Sequence, residues 1–588
     1  MSTMILDHKR LYYSFMAGAR EVIAQKNALN AISVFPVIDG DTGSNLASMM
    51  HTILNESTLD DDATKTLESI ADAALIGARG NSGIIFAQYL NGLVLALKNQ
   101  NTIDITQYAQ AINDAVPYAY QAISEPVEGT MITLMRQWGE TIKNLMPFKK
   151  DFLEILHEAF ETLKAHLQKT TETLKVLRDH KVVDAGAKGF VHFTEGFIRF
   201  LKTGETVAVQ SEKVEKIKVT HADVHEETFR YCTEALISGK HLDPKTVREA
   251  VQGLGDSLVV AGNDNKLRLH IHTDKPQDIF FTLRTFGHIE DQKVDDMVKQ
   301  HEIIHNRKYP IALVTDSIAD LPQEYIDDYQ IQVIPLNLII EGSTYYDRLT
   351  ITAEKFYKIM DEVKTYPTTS QPNLKQIENL FSFLSSHYEK IVAITVSSKM
   401  SGTYNVLKKA AESLEGDSEI EIIDSKQNSA AQGLLVKEAS QMIKAGHSVS
   451  EIKEKIERVR GLTQILVSVQ SLKYMVRSGR VGKVTGLIGK LANLKPVISI
   501  DADGEGMIYA KGLSIKSSDK RIRQAIEANK ASIKRYVIVH ADGLNRAKAY
   551  AESFKDILGF EPEYIMNISP IVAMNAGLGT VAVAFQKE

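Results

Sequence analysis

The sequence predicts a multidomain protein in which an all-helical region precedes a small α/β segment and a larger α/β region. The chain has 588 residues, more than one hydrophobic core usually organises. Apolar residues recur at helical spacing over about 8–202, whereas short β-branched runs alternate with helical stretches from Ile311 onward. We place the domain boundaries at 1–205, 220–305 and 308–588.

The composition is that of an ordinary globular protein and narrows the classes of partner. Hydrophobic residues make up 44% and charged residues 24% of the chain, which is usual for soluble proteins. The net charge of −6 and the isoelectric point near 6.3 argue against nucleic acid or an anionic membrane as the main partner. We therefore expect no nucleic acid partner.

The location is predicted from three features of the sequence. The first residues lack the charged start and long apolar run of a secretory signal. No apolar run reaches the roughly 18 residues that a transmembrane helix needs. Cys232 is the one cysteine, so an intrachain disulfide cannot form and a reducing compartment is favoured. We expect a cytoplasmic protein without an integral membrane segment.

Four short glycine-rich motifs lie between the predicted helices of the first region. Each would expose backbone N–H groups, and glycine permits the close backbone approach that phosphates need. Helix starts predicted just after Gly43 and Gly83 would add the positive end of a helix dipole. The motifs are DGDTGSN (39–45), GARGNSG (77–83), EPVEGTM (125–131) and VVDAGAKG (182–189). Together they indicate phosphate binding, although none is a Walker A loop after a strand.

The first motif places two carboxylates, Asp39 and Asp41, on alternate residues. Carboxylates held that close repel each other unless a cation lies between them, and a hard divalent cation prefers such oxygen ligands. An ordinary surface turn is the alternative, because Asp-Gly and Thr-Gly are favoured turn pairs. Spacing alone does not decide between the two.

A polar, charge-rich linker near 203–225 leads into the small middle segment, which has strand-like runs such as DSLVVAG and KLRLHIHT. His270 and His272 are two residues apart on one predicted strand, so both side chains point to the same face. With the Cys232 thiolate they would give three ligands of a zinc site with one open position. The alternative is a partly buried cysteine beside two histidines on a surface strand.

The last region alternates strands and helices, which predicts an α/β domain with a largely parallel sheet. Ligands of such sheets bind at the carboxyl ends of the strands. The residues that directly follow predicted strands are therefore candidates for a ligand site: Asp316, Ser317, Ser397, Ser398, Asp424 and Ser425.

The four glycine-rich motifs, in this order over about 200 residues, resemble the nucleotide-binding subunit of dihydroxyacetone kinases and, more closely, the corresponding domain of bacterial fatty-acid kinases. The resemblance implies a barrel of helices with ATP at one end, where Asp39 and Asp41 hold Mg²⁺ against the phosphates. The glycerone-kinase pattern has a further aspartate where this chain has Val34. The positions that would contact nucleotide or metal are Thr42, Gly43, Ser44, Asn45, Gly80, Asn81, Ser82, Gly129, Thr130, Asp184 and Gly186.

The middle segment is similar to fatty-acid kinases in YCTE and HIHTD. In that family the matching cysteine and histidines bind zinc, so the resemblance implies zinc at Cys232, His270 and His272.

From about residue 308 the chain resembles DegV proteins, the fatty-acid-binding partners of those kinases, in motifs such as VTDSIADLP, VSSKMSGTYN, YMVRSGRVGK and ISPIVAMNAGLGT. The resemblance implies a two-lobed α/β fold with the acyl tail in an apolar tunnel. The family's last motif has a histidine at the acid head group, where this chain has Asn575. Residues expected to bind the substrate are Thr369, Ser370, Ser401, Thr403, Arg477, Arg480 and Asn575.

The implied reaction is fatty acid plus MgATP giving acyl phosphate plus ADP, catalysed by a natural fusion of kinase and acyl-carrier modules. A fatty-acid carboxylate is already ionised at pH 7, because carboxyl pKa values are about 4–5. It therefore needs alignment and charge neutralisation more than a general base. The acyl site would face the nucleotide region within one chain or across a homodimer. An acyltransferase of phospholipid synthesis is the implied acceptor.

Two other functions stay open at this point. A kinase for a small hydroxylated substrate, such as a triose, would leave the DegV-like region unexplained. A non-catalytic lipid-binding protein could use the nucleotide site only to sense ATP, and the departures at Val34 and Asn575 suit that hypothesis.

Overall fold

The computed structural model describes residues 5–35, 40–206, 229–360, 362–414, 418–478 and 494–588. Contacts between residues divide the chain into two compact units, the first made of 1–275 and 282–295 and the second of 276–281 and 296–588. The first unit therefore joins the helical region to most of the middle segment. None of the helices in the described ranges is long and apolar enough to cross a membrane.

The helical region is built from amphipathic helices around one apolar core. Aspartates at Asp7, Asp62, Asp104, Asp151 and Asp184 accept hydrogen bonds from the first turns of five helices. The helices are α1 (His8–Ala24), α2 (Lys26–Asn30), α3 (Thr42–Glu56), α4 (Ala63–Gly77), α5 (Gly80–Leu97), α6 (Ile105–Ala122), α7 (Met131–Leu145), α8 (Phe152–Thr173), α9 (Lys175–His180) and α10 (Ala185–Thr203). A short antiparallel pair, β1 (Leu6–Asp7) and β2 (Thr102–Ile103), lies beside them.

Two helices begin earlier than the sequence predicts. We expected starts just after Gly43 and Gly83, but α3 begins at Thr42 and α5 at Gly80, so that prediction was wrong by a few residues. Glycine costs little at the first positions of a helix, where no complete turn has yet formed. Three of the four glycine-rich motifs therefore include the first turn of a helix, whereas EPVEGTM ends at Met131, where α7 begins.

The middle segment forms a four-stranded sheet in the order β4-β5-β3-β6, with antiparallel pairing of β3 and β4 to β5. Val259 and Ala261 of β4 belong to the same core as the helices of the first region. The linker near 203–225 lies mostly outside the described residues. The elements are β3 (Tyr231–Ser238), α11 (Pro244–Val251), β4 (Asp256–Gly262), β5 (Lys266–Thr273), α12 (Pro276–Leu283), β6 (His288–Asp296) and α13 (Met297–His305).

The first half of the second unit contains a four-stranded parallel sheet, β13-β12-β7-β8, and a three-stranded antiparallel sheet, β10-β9-β11. Its elements are β7 (Ile311–Asp316), α14 (Gln323–Asp328), β8 (Gln332–Ile334), β9 (Asn337–Ile340), β10 (Ser343–Tyr346), α15 (Ala353–Ile359), β11 (Thr368–Ser370), α16 (Leu374–Ser385), β12 (Lys390–Thr395), α17 (Thr403–Ser413), β13 (Glu419–Asp424), α18 (Ser429–Lys444) and α19 (Val449–Arg460).

The second half contains a six-stranded sheet in the order β16-β15-β14-β19-β17-β18. Among its described pairs only β17–β18 is parallel, so the expectation of a largely parallel sheet was wrong here. The elements are β14 (Thr463–Ser468), α20 (Lys473–Arg477), β15 (Val497–Ile500), β16 (Gly506–Ala510), α21 (Ile515–Asn529), β17 (Ile533–His540), α22 (Leu544–Leu558), β18 (Ile565–Asn567), α23 (Pro570–Ala576) and β19 (Val581–Lys587).

The candidate residues at the strand ends form hydrogen bonds within the second unit. Asp316 accepts a hydrogen bond from the backbone N–H of Val396 at 2.7 Å, and Ser398 donates to Asp424 at 2.5 Å. The Ser397 hydroxyl donates to the carbonyl of Gly504 at 2.7 Å. These groups lie at the carboxyl ends of parallel strands, as predicted, and bind other parts of the same unit.

Two buried aspartates fix the start of helix α23. Asp347 accepts from the backbone N–H of Ile571 at 3.2 Å and from the hydroxyl of Ser317 at 2.6 Å. Asp320 accepts from the backbone N–H of Ser569, the N-cap of α23, at 3.0 Å. Such bonds satisfy N–H groups that have no partner inside the helix. The position of α23 therefore depends on buried carboxylates from the other half of the unit.

We predict that Asp347→Asn destabilises the second unit and that the loss is larger at pH 5 than at pH 7.5. Burial raises the pKa of Asp347 to about 6, so the folded protein takes up this proton before the unfolded chain does. The free energy of unfolding of the wild type is therefore about 1 kcal/mol higher at pH 5 than at pH 7.5, whereas that of the variant does not rise. For a unit of this size, calorimetry should show that the substitution lowers the Tm by about 2–3 °C more at pH 5 than at pH 7.5.

Asp556→Asn, on the exposed face of α22, is the matched control and should not alter the pH dependence. A loss of stability for Asp347→Asn that is equal at both pH values would contradict the prediction.

Candidate functional site

Four helix N-termini, those of α3, α5, α7 and α10, meet in the first unit. A methyl group added to Gly80 would lie 2.5 Å from Nδ2 of Asn45, which joins the starts of α5 and α3. A methyl group added to Gly186 would lie 2.9 Å from Oγ of Ser82 and 3.0 Å from Cε of Met131. Each N-terminus carries partial positive charge, because the first N–H groups of a helix have no partner inside the helix. The arrangement suits an anion such as a chain of phosphates.

The hydroxyls of the first motif are hydrogen bonded within the protein. Ser44 donates its backbone N–H to Oδ1 of Asn30 at 2.9 Å, and its hydroxyl accepts from Nδ2 of Asn30 at 2.9 Å. The hydroxyl of Thr42 lies 2.7 Å from that of Ser33. Thr42 and Gly43 are buried, and a methyl group on Gly43 would collide with the backbone of α2. These contacts fix the first turn of α3 against α2.

Asp41 is the N-cap residue of α3 and is partly exposed. Asp39, its predicted companion, lies outside the described residues. Val34 is buried and apolar, so it offers no third carboxylate.

The start of α5 contains an unpaired acceptor. Oδ1 of Asn81 is buried and has no hydrogen-bond partner within the described ranges. A buried carbonyl oxygen without a donor costs free energy unless a ligand or cation completes it. Among the predicted nucleotide-site residues, the surroundings of Asn81 therefore indicate a missing partner.

The third and fourth motifs are held by local caps. The hydroxyl of Thr130 donates to the carbonyl of Val127 at 2.8 Å, and Gly129 has a φ of +88° that favours glycine. Asp184 caps α10 by accepting from the backbone N–H of Ala187 at 2.7 Å. Burial raises the pKa of Asp184 to about 6. Asp184 thus holds the start of α10 as well as lying among the converging helices.

Cys232, His270 and His272 are brought together by strand pairing. Cys232 of β3 lies opposite His272 of β5, and the ligand atoms of all three side chains lie within 4.8 Å of one another. Nε2 of His270 is buried without a partner within the described ranges. Burial, followed by the charge of His270, lowers the pKa of His272 to about 3. A neutral imidazole has the free lone pair that a metal ion requires.

A buried charge cluster next to these residues was missed by the sequence analysis. Glu234, whose side chain is 1% exposed, accepts from the backbone N–H of Gly80 at 2.6 Å and lies 3.3 Å from Nη2 of the fully buried Arg268. Asp291 contacts both Arg268, at 3.0 Å, and Arg79, at 2.8 Å. A detectable signal was present, because a glutamate and an arginine interrupt the apolar runs YCTEALI and KLRLHI.

The second unit encloses a cavity of about 320 Å³. Aliphatic side chains from strands and loops of both halves of the unit line most of it, among them Ile318, Leu336, Val467, Ile498 and Val539. Polar groups are fewer and include residues of β11, the turn before α17, the start of α18 and α23. An apolar cavity with a few polar groups suits an elongated apolar ligand with one polar end.

The predicted substrate residues divide around this cavity. Thr369, Ser370, Ser401 and Asn575 line it. Thr403 is buried, with its hydroxyl 2.8 Å from that of Ser401.

Asn575 and Arg477, two of the predicted substrate residues, also contact other parts of the protein. Nδ2 of Asn575 donates to the carbonyl of Ile571 at 2.7 Å, and its Oδ1 is buried with no partner in the described part of the chain. The guanidinium of Arg477 lies over the ring of Tyr366, 5.4 Å from its centroid. Arg480 lies outside the described residues.

We predict that Gly80→Ala destabilises the first unit by about 1–2 kcal/mol, whereas Gly83→Ala does not. Gly80 has a φ of +58°, and the added methyl group would meet Asn45. At Gly83 the nearest heavy atom would be 3.6 Å away, an ordinary contact. Denaturant unfolding of both variants measures the difference, and equal stabilities would contradict the described approach of α5 to α3.

Three family models match the chain in succession. Residues 36–199 match the DAK2 domain, and residues 228–304 match the FakA-like middle domain of fatty acid kinases. Residues 310–588 match the DegV family of uncharacterised proteins.

Proteins of staphylococci and of Bacillus are similar to part of the chain. An uncharacterized protein of Staphylococcus saprophyticus is 30% identical over 318 residues, which cover 52% of this chain and 57% of that protein. Protein YloV of Bacillus subtilis is 30% identical over 353 residues, which cover 55% of this chain and 64% of YloV. The chain thus spans less than two thirds of the length of either relative.

Solved structures of DegV proteins are similar to part of the chain. A fatty-acid-binding DegV family protein from Thermus thermophilus is 25% identical, with a TM-score of 0.43 over 47% of this chain and all of that one. DegV of Bacillus subtilis, a fatty acid binding protein, is 24% identical with a TM-score of 0.44 over 48% of this chain and all of that one. The models of the DAK2 domain, the FakA-like middle domain and the DegV family thus match successive parts of one chain.

Proposed function

We propose that this protein transfers the γ-phosphoryl group of ATP to the carboxylate of a fatty acid bound in its DegV-family region, giving acyl phosphate and ADP. The observation that carries the proposal is the meeting of four helix N-termini around Asn45, Ser82 and Gly186. The match of the next segment to the FakA-like middle domain of fatty acid kinases supports the choice of substrate.

The residues at the phosphate end act by positioning and by charge. Phosphoryl transfer involves little covalent chemistry by the protein, so alignment and neutralisation of the phosphate oxygens dominate. The N–H groups of these first turns that the protein does not itself bond, such as those of Asn81 and Ser82 in α5, would donate to those oxygens. The hydroxyls of Thr42 and Ser44, which are bonded to Ser33 and Asn30, would support the loop. Because the Ser44 hydroxyl accepts from Asn30, its own O–H would be left to donate to a phosphate oxygen.

The residues present fit a magnesium ion. Asp41 supplies a carboxylate, and the buried, unpartnered Oδ1 of Asn81 supplies a neutral oxygen, which are the donors that Mg²⁺ prefers. Asp39 is the further ligand expected from the sequence. When bound, the ion would neutralise charge on the phosphate oxygens.

At the acyl end, the cavity of about 320 Å³ would take the hydrocarbon tail. The carboxylate would lie near Ser401, because the first turn of the 11-residue helix α17 begins two residues later and a helix N-terminus favours negative charge. The N–H of Asn575 that is not used by Ile571 would give a second donor. No general base is needed, because the carboxylate is ionised at neutral pH.

The residues present also fit zinc at Cys232, His270 and His272. Three N and S donors lie within 4.8 Å of one another, and Nε2 of His270 is buried without a hydrogen-bond partner in the described ranges. Zinc would give these groups a shared partner and release the thiol proton.

The fusion has a kinetic consequence for the reaction. Joining carrier and kinase in one chain replaces a bimolecular encounter by an effective concentration in the millimolar range when the linker permits docking. Because an acyl phosphate is an activated acyl donor, an acyltransferase is the class of enzyme that would consume it. Docking within one chain or across a homodimer would serve equally.

Asp41→Asn is expected to lower acyl-phosphate formation by at least a hundredfold while bound lipid is retained. The variant removes a metal ligand from the kinase unit and leaves the cavity untouched. The assay uses purified protein, MgATP and oleate, with hydroxylamine to trap acyl phosphate as hydroxamate, and native mass spectrometry to detect lipid.

Asp61→Asn is the control, because Asp61 is fully exposed between α3 and α4 of the same unit. A wild type that makes no hydroxamate but carries lipid would favour the ATP sensor, and phosphorylation of a triose in place of oleate would favour the small-substrate kinase. Val572→Trp, which fills the cavity, should remove both lipid and hydroxamate.

Cys232→Ser and His272→Ala are expected to lose bound zinc, measured by inductively coupled plasma mass spectrometry, from about one ion per chain to less than one tenth. Loss of one of three ligands removes most of the affinity of such a site. His288→Ala, an exposed histidine on β6 of the same sheet, is the control. Equal zinc in all variants, or none in the wild type, would refute the zinc assignment.

A further inference from the structure

Glu234 connects the middle segment to the first turn of α5. It lies on β3, two residues after Cys232, and its side chain is 1% exposed. Its Oε1 accepts from the backbone N–H of Gly80 at 2.6 Å. Because this N–H is the first of α5, it would otherwise point from the helix end with no partner. A side chain from the middle segment thus acts as the cap of a helix in the DAK2 domain.

The other contacts of the carboxylate define its position. Its Oε2 lies 3.3 Å from Nη2 of Arg268 and 4.0 Å from Nε of Arg79. Nδ1 of His270 lies 3.5 Å from Oε1. A buried carboxylate with several cationic and N–H neighbours has little freedom, because leaving any of them unpaired is costly. The Gly80 amide is therefore held at one place relative to β3.

The contacts with Arg268 and Arg79 require that the buried group is a carboxylate, because two cations beside a neutral acid would lack a counter-charge.

The bond has a consequence for the residues that follow Gly80. Since the Gly80 N–H is taken by Glu234, the N–H groups of Asn81 and Ser82 are those that α5 can offer to an anion. The same bond sets the orientation of Asn81, whose Oδ1 is the buried, unpartnered acceptor. Gly80 itself packs on Asn45 of α3, so a shift of Gly80 would move two of the four helix starts relative to each other.

We propose that Glu234 is a positioning residue of the nucleotide site, which makes MgATP binding by the DAK2 domain depend on the middle segment. The proposal rests on the proposed function in so far as the nucleotide lies at the start of α5. Glu234 acts through Gly80 and touches neither nucleotide nor acyl substrate.

The test compares Glu234→Gln with Glu290→Gln in the full-length protein. Glutamine keeps the size of the side chain, but it is neutral and sets an N–H₂ group against donors. Glu290 is on β6 of the same sheet, 40% exposed and 3.8 Å from Lys266, so its loss should be silent. The first readout is hydrogen exchange of peptides that cover 78–86 without nucleotide. The second is the dissociation constant of a fluorescent ATP analogue with Mg²⁺.

For Glu234→Gln we expect exchange of the 78–86 peptides to accelerate at least tenfold and the dissociation constant to rise about tenfold. A tenfold change is the low end for losing a hydrogen bond to a charged group. Glu234→Asp, which retains the charge on a shorter stem, should recover part of both effects. Glu290→Gln should match the wild type in both.

Three outcomes would count against this role. Unchanged exchange would mean that the carboxylate does not hold Gly80. Faster exchange with unchanged ATP affinity would reduce Glu234 to a structural residue. If Glu234→Gln does not fold, Asp291→Asn is the deciding variant, because Asp291 is 41% exposed and contacts both Arg79 and Arg268. We expect the dissociation constant of this variant for the ATP analogue to rise about threefold, and no rise would overturn the proposal. A wild type that binds no MgATP would instead refute the proposed function, while the exchange data still test the Glu234–Gly80 bond.

Discussion

The meeting of four helix N-termini constrains most of the first unit. Partial positive charges brought together in this way repel one another, so the arrangement needs negative charge close by. Carboxylates bond the N–H groups of two of the four helix starts: Asp184 at α10 and Glu234 at α5. Asp41 at α3 and Thr130 at α7 are N-cap residues whose side chains form no cap hydrogen bond. The remaining positive potential is what would attract the phosphates of a nucleotide.

This constraint explains why the middle segment is packed into the same unit as the helices. Val259 and Ala261 share the helical core, and Glu234 reaches the start of α5. Burying Glu234 is tolerable only because Arg268 and Arg79 lie beside it, since an unpaired buried charge would cost several kcal/mol. The segment that holds the candidate zinc ligands is thus part of the framework of the candidate nucleotide site.

The second unit uses buried carboxylates in a related way, but around an apolar space. Asp320 and Asp347 accept N–H groups at the start of α23, and this helix presents Ile571 and Asn575 to the cavity. In the first unit, carboxylates balance helix ends that would bind an anionic ligand. In the second, they fix a wall whose other side is apolar. Each unit therefore has the chemistry of one of the two proposed substrates.

The sequence by itself determined the order and class of the regions, because helical periodicity, strand alternation and glycine-rich motifs are local properties. It also predicted that His270 and His272 share a face, since residues two apart on a strand must do so, whereas the pairing of β3 with β5 brings Cys232 to them. It did not reveal that β19 lies between β14 and β17 and makes the last sheet mostly antiparallel, because pairing of distant strands leaves no local pattern. Nor did it show that Glu234 binds Gly80, 154 residues away. Only the tertiary structure decided that contact, because the partners of a buried charge are fixed by which elements pack together.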